Sequence, residues 1–150
     1  MLPFKQLKRV RFPPGSPIVT LTMQSIGKLN FSISETHGHR LVVDVDSDIA
    51  RFARSLIPRF YDVRIPKYPP HISLVRGEQP NEKWGLRHGQ EVEFEYYPGV
   101  YNDSVYWWMR VGFKNLREIR EELGLAPSSK ITRPPDGFDC FHITIGNMKP

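Results

Sequence analysis

Cysteine is nearly missing from this chain. Cys140 is the single one in 150 residues, so no internal disulfide can staple the fold. Such a chain must stand on its core, and a reducing compartment is its natural setting. No apolar run approaches the roughly 18 residues that a membrane span needs. The opening MLPFKQLKRVRFPPGSP carries basic residues but no apolar segment of signal-peptide length. The expectation is a cytoplasmic protein with no membrane association. Glycine-rich phosphate loops of the Walker or Rossmann kind are absent, as is the G-x-S-x-G turn of serine hydrolases. There is no cysteine pair and no H-E-x-x-H. His37, His39 and His88 could join another histidine on a metal, but without those patterns no metal and no other cofactor is expected. Asp44, Asp46 and Asp48 imitate the start of a calcium loop. Its sixth position is Ile49 and its twelfth Ser55, however, so the run reads as a strand end and helix cap. No repeat of 20–50 residues and no low-complexity segment is visible.

What the chain does have is an ordinary globular balance, with 39% hydrophobic and 25% charged residues. Its length suits one domain able to bury a core. The formal charge of +5 favours anionic partners such as nucleic acid, nucleotides or phosphate esters. A solvated basic surface accounts for that charge equally well.

Residues 1–17 combine Lys8, Arg9 and Arg11 with Pro13, Pro14 and Pro17 and read as an extended N-terminal arm; residues 18–150 read as one domain. Stretches 18–25 and 29–34 alternate apolar and polar residues around Gly27, which predicts a β-hairpin. Residues 37–39 read as a turn and 40–45 as a third strand. A helix from 47 to 59 or slightly earlier, capped by Ser47, sets Ile49, Phe52, Ala53, Leu56 and Ile57 on one buried face. Pro58 marks its end. The stiff connector 66–70 leads into a short strand at 71–75, followed by a loop over 77–89. Strands at 92–97 and 105–111 are expected to pair as a long hairpin around Pro98-Gly99 and Asn102-Asp103. A second helix over 115–123 aligns Leu116, Ile119 and Leu123, and Gly124 is placed to end it in a left-handed conformation. A loop over 126–139 precedes the last strand, 141–146. The sum is an α+β fold, mostly antiparallel sheet with two main helices.

Two segments share one grammar. Pro70-His71-Ile72-Ser73-Leu74 and Phe141-His142-Ile143-Thr144-Ile145 each run histidine, isoleucine, hydroxyl residue, aliphatic residue. Side chains alternate faces along a strand, so each histidine shares a face with its hydroxyl while the isoleucine and its aliphatic neighbour anchor the other. Two partly buried histidines hydrogen-bonded within a sheet would show the same pattern. The paired H-x-S/T segments resemble those of the 2H phosphoesterase superfamily, which includes RNA 2′,3′-cyclic phosphodiesterases and related RNA-processing and cyclic-oligonucleotide-cleaving enzymes. The resemblance covers the two motifs, their separation and the coarse order of elements. It implies a two-lobed fold with approximate internal symmetry, one motif on each lobe, a central cleft and no metal cofactor. Ser73 stands where threonine is usual and keeps the hydroxyl. Six residues follow Thr144, so the strand order has to be completed from upstream.

The chemistry so implied needs a base for the incoming oxygen and an acid for the departing one. Histidine suits both tasks, with an unperturbed pKa near ~6.5. His71 and His142 would fill these parts, and Ser73 and Thr144 would donate to the non-bridging oxygens. The expected substrate is RNA or an oligonucleotide with a 2′,3′-cyclic phosphate or a 2′–5′ or 3′–5′ linkage, bound by a monomer. A cyclic di- or trinucleotide signal would suit the same site. Tyr68, Arg76, Arg133 and Lys149, together with Lys67, lie near a motif in sequence and are candidates to hold phosphate. Trp108, in the run Tyr106-Trp107-Trp108, is the candidate for base stacking. The competing reading is a non-catalytic, basic RNA-binding domain whose histidines are structural.

Overall fold

The computed structural model describes residues 21–150. The arm expected at 1–17 and the strand start expected at 18–20 lie outside the described residues. Among those described, seven strands and two helices follow in the order β1 (Met23–Ser34), β2 (Gly38–Asp44), α1 (Ser47–Ser55), β3 (His71–Arg76), β4 (Glu91–Tyr96), β5 (Tyr101–Asn102), β6 (Tyr106–Val111), α2 (Arg117–Glu122) and β7 (Phe141–Asn147). The expected α+β class is present, with antiparallel pairing throughout. The strands form one sheet in the order β4-β1-β2-β3-β7-β6-β5. That sheet curls until β4 meets β6, where Tyr96 bridges Val111. The amides of Tyr97 and Gly112 seal the join by donating to the carbonyls of Arg110 and Glu95 at 3.0 and 2.9 Å. No helix among the described residues is long and apolar enough to cross a membrane.

Strand alternation decides what the curl encloses. Leu29, Leu41, Val43, Ile72, Phe94, Met109, Phe141 and Ile143 are buried on the inner face. Ala50 and Ala53 of α1 join them, as do Leu116, Ile119 and Leu123 along α2. Each fully buried aliphatic or aromatic side chain contributes about 1.5–3 kcal/mol. The stripe expected along the second helix is therefore present, and Gly124 closes it at φ 80° as expected.

Three expectations need correction. Gly27 is no turn: β1 runs through it as one strand of 12 residues. A Cβ at this position would collide with Val43 and the Asp44 carbonyl, so the glycine permits a close approach of β1 to the end of β2. The hairpin turn lies instead at 35–37, where the His37 amide donates to the Ser34 hydroxyl at 2.8 Å. The first helix is capped not by Ser47 but by Asp46, whose carboxylate accepts from the Asp48 amide at 2.9 Å. It ends at Ser55, earlier than Pro58 alone requires, with Leu56 as its C-cap; a proline disfavours helix in the residue before it. Phe52 is 40% exposed, with Ala50 and Ala53 turned to the core. Finally, β4 and β6 share a single bridge instead of a long hairpin. The length of β1 lets it claim β4 from Met23↔Tyr96 to Lys28↔Glu91, and β6 pairs along β7.

Two bulges interrupt the sheet. The register of β3 against β2 skips Leu74, and that of β7 against β6 skips Ile145. A bulged residue leaves the ladder, and its polar backbone groups need other partners. Here an arginine serves each one. Arg120 of α2 donates to the Leu74 carbonyl at 2.6 Å, and Arg54 of α1 donates to the Ile145 carbonyl at 3.1 Å. Arg120 is fully buried; it also holds both carboxylate oxygens of Glu78, at 2.7 and 2.8 Å, and the Ala126 carbonyl at 2.7 Å. Removing one partner of such a buried pair costs about 3–5 kcal/mol. Arg120→Ala should lower unfolding stability in urea by that amount, and Arg54→Ala by about 1 kcal/mol. Equal, small effects would show that the buried guanidinium does not hold the β3 bulge.

Candidate active site

The motif strands are neighbours. Ile72 of β3 pairs with Ile143 of β7, and both are fully buried. The flanking His71, Ser73, His142 and Thr144 therefore lie on the opposite face, each half-buried. Antiparallel order about that pair sets His71 across from Thr144 and Ser73 across from His142. The outer strands repeat the arrangement: β2 brings Asp44 to His71 and Val42 to Ser73, while β6 brings Arg110 to His142 and Trp108 to Thr144. Each register skip falls one residue past the hydroxyl. An approximate twofold axis through Ile72 and Ile143 thus relates the strands, the bulges and the arginines that serve them. Charge breaks it, since an acid stands beside one histidine and a base beside the other.

Both rings are fixed in the same way. The Nδ1 of His71 lies 2.8 Å from the Pro69 carbonyl, and that of His142 lies 3.1 Å from the Thr132 carbonyl. A carbonyl only accepts, so Nδ1 carries the proton of the neutral ring and Nε2 carries the free lone pair. Thr132 is itself fully buried, its hydroxyl donating to the Ser129 carbonyl at 3.1 Å and accepting from the Ser129 amide at 3.0 Å. Burial pushes both imidazoles below the ordinary histidine range, and the backbone carbonyls pull them back only in part. At His71, Asp44 favours the charged ring while Arg40 and Arg76 oppose it. At His142, a charge on His71 disfavours protonation and Asp136 favours it.

The loop from 126 to 140 walls the His142 side. Arg110 clamps it to the sheet: its guanidinium lies 3.8 Å from the ring centre of Tyr101 and 3.7 Å from that of Phe138, and it bonds the Asp136 carboxylate at 2.9 Å. Burial would raise the Asp136 carboxyl, but the Phe138 amide and Arg110 outweigh it and hold that carboxyl below its usual range. A groove of about 460 Å³ opens beside His142 in this loop. Cys140, two residues before His142, is buried, and desolvation pushes its thiol up to about 11, so it stays protonated at neutral pH and is no nucleophile. Among the described residues, no group of three or more His, Cys, Asp or Glu side chains could hold a metal ion.

The four motif residues are brought together on one face. Of the remaining candidates, Arg133 lines the groove with His142, and Arg76 acts on the charge of His71. Trp108 is 1% exposed and pairs across from Thr144, so no ring face is open to a base; its role is packing. Tyr68 is 63% exposed on the connector before His71, with the Lys67 ammonium 5.7 Å from its ring centre. Arg76 points to the His37 ring at 3.4 Å, at the far end of β3. Lys149 lies beyond the end of β7, 5.3 Å from the Tyr106 ring centre. Alternation along 105–111 puts Arg110 on the face of Trp108, but only the register places it beside His142. The Thr132 carbonyl leaves no side-chain signal at all.

Set against protein-family models, curated proteins and solved structures, the chain matches none.

A buried base with a lowered pKa stabilises the fold above the ordinary histidine range and loses that contribution as pH falls through it. By proton NMR, the ring signals of His71 and His142 should titrate below the usual histidine value near ~6.5. His71→Gln should move the His142 midpoint upward, because it removes the opposing charge. A midpoint that stays put would place the rings out of each other's reach.

Proposed function

We propose that the chain is a metal-independent phosphodiesterase of the 2H type, acting on RNA or oligonucleotide phosphodiesters. In this reading it is a cytoplasmic monomer whose two motif-bearing halves form lobes around a cleft. One observation carries the proposal. Two His-x-Ser/Thr strands lie side by side with mirrored registers, and each histidine has its Nδ1 tied to a backbone carbonyl. Structural histidines need no such duplication of bulge, pin and tautomer.

With a 2′,3′-cyclic phosphate, one Nε2 takes a proton from water as the water oxygen bonds to phosphorus. The bond from phosphorus to a ring oxygen breaks, and that oxygen takes the Nε2 proton of the other ring, which enters the reaction as the imidazolium. With an internal linkage, the neighbouring ribose hydroxyl replaces water and the oxygen of the next nucleoside departs. Either imidazole can take either part, according to the direction in which the substrate lies. The hydroxyls of Ser73 and Thr144 would donate to the non-bridging oxygens, where negative charge gathers. Lowered imidazole basicity suits this work, since a neutral base must be present at working pH.

His71→Ala and His142→Ala should each cut turnover of a 2′,3′-cyclic-phosphate or linear oligonucleotide by about 10²- to 10⁴-fold with the fold retained by circular dichroism. Ser73→Ala and Thr144→Ala should each cost about 10²-fold or more. EDTA should leave turnover unchanged. Near-native turnover in either alanine variant would remove that histidine from the chemistry. Salt-sensitive RNA binding without any cleavage would favour the RNA-binding domain instead.

A further inference from the structure

Two open clefts of similar size lie on the surface, about 430 and 460 Å³. Their chemistry is opposite. The smaller is bordered by Glu91, Glu93, Glu118 and Glu122, with Arg87 held by Glu122 at 2.8 Å, and is acidic on balance. The larger is bordered by Lys130 and Arg133, by the apolar Ile131, Pro134 and Pro135, and by His142. Among the described residues no carboxylate pairs with Lys130. Arg133 bonds the Ser128 hydroxyl at 3.2 Å and stands 3.4 Å from the Asp139 carboxylate, yet its side chain remains 40% exposed. Ile131 is 45% exposed, so an apolar surface is left open between two cations. Cations for phosphate beside flat apolar surface for sugar and base are what a nucleotide needs.

The position of this groove is as informative as its lining. It touches His142 but none of His71, Ser73 or Thr144. A ligand here lies outside the reacting phosphate, on one side only. A mononucleoside cyclic phosphate with its phosphorus between the imidazoles has no second unit to place there, whereas an oligonucleotide does.

We propose that the groove beside His142 holds a second nucleotide unit of the substrate, with its phosphate against Lys130 and Arg133 and its nucleoside over Ile131 and the two prolines. The enzyme is then built for oligonucleotides, not for mononucleoside cyclic phosphates. This rests on the phosphodiesterase reading, which it narrows to one substrate class. Thr132, whose carbonyl orients His142, is buried between Ile131 and Arg133 of that lining, so a bound second unit braces the segment that aims the ring.

The test compares kcat/KM for a mononucleoside 2′,3′-cyclic phosphate with that for a trinucleotide ending in the same group, and for linear 2′–5′- and 3′–5′-linked trinucleotides. Charged hydrogen bonds are worth about 1.5–3 kcal/mol, so a trinucleotide should be preferred by about tenfold or more. Lys130→Glu should erase most of that preference. Lys83→Glu, the same charge change in the loop between β3 and β4, should preserve it. Binding of a non-cleavable 2′-deoxy trinucleotide, followed by fluorescence titration, should weaken by a similar factor in Lys130→Glu alone. Equal kcat/KM for short and long substrates, or a preference untouched by Lys130→Glu, overturns the groove assignment and leaves the two-histidine chemistry standing. Cleavage of no substrate, with deoxy-trinucleotide binding still weakened by Lys130→Glu, sinks the phosphodiesterase reading but keeps the groove as a nucleotide site.

Discussion

A residue that bulges out of a strand leaves a carbonyl without a ladder partner, and inside a protein that oxygen has to be met. Among the described residues an arginine meets it at both bulges of the sheet. Arg120 reaches the Leu74 carbonyl and Arg54 the Ile145 carbonyl. Each bulge lies one residue past a motif hydroxyl, so the two bonds set how Ser73 and Thr144 stand against the cross-strand neighbours of their histidines. Core packing alone would tolerate a slip of register here, since Leu74, Val75 and Ile145 are all apolar and all buried. A guanidinium aimed at one oxygen tolerates far less.

The site built on that frame is symmetric in backbone and asymmetric in charge. Asp44 and Arg110 occupy equivalent positions beside His71 and His142. Arg110 in turn spends its charge on Asp136 and its faces on Tyr101 and Phe138. It acts as a fastener for the loop more than as an open cation. That same loop supplies the Thr132 carbonyl, so the clamp and the orientation of His142 belong to one unit. On the other side, the Pro69 carbonyl comes from the proline-rich connector, whose stiffness holds the His71 ring with less supporting structure.

Much of this was legible in the residues and some was not, for identifiable reasons. The motif strands declared themselves through alternation, and the second helix through Leu116, Ile119 and Leu123, because these patterns are local. Partner choice is not local: nothing in 92–97 or 105–111 says that β1 and β7 will claim them. Gly27 read as a turn because glycine serves turns and close approaches alike, and only the neighbouring Asp44 carbonyl distinguishes the two. Aspartate and serine cap helices about equally well, so Asp46 against Ser47 was a contest between adjacent good candidates. Trp108 reads as a stacking surface from its run of aromatics, but it is 1% exposed, and burial does not show in a run of aromatics. Arg120, set among the charges of REIREE, resembles a solvated helix residue until its burial is known.

The pins cross between the halves. The helix that precedes the first motif secures the strand of the second, and the helix that precedes the second secures the strand of the first. Neither His-x-Ser/Thr strand is completed by its own stretch of chain. Dividing the polypeptide in the loop between β3 and β4 would separate each strand from its arginine, so the halves are competent only as a pair.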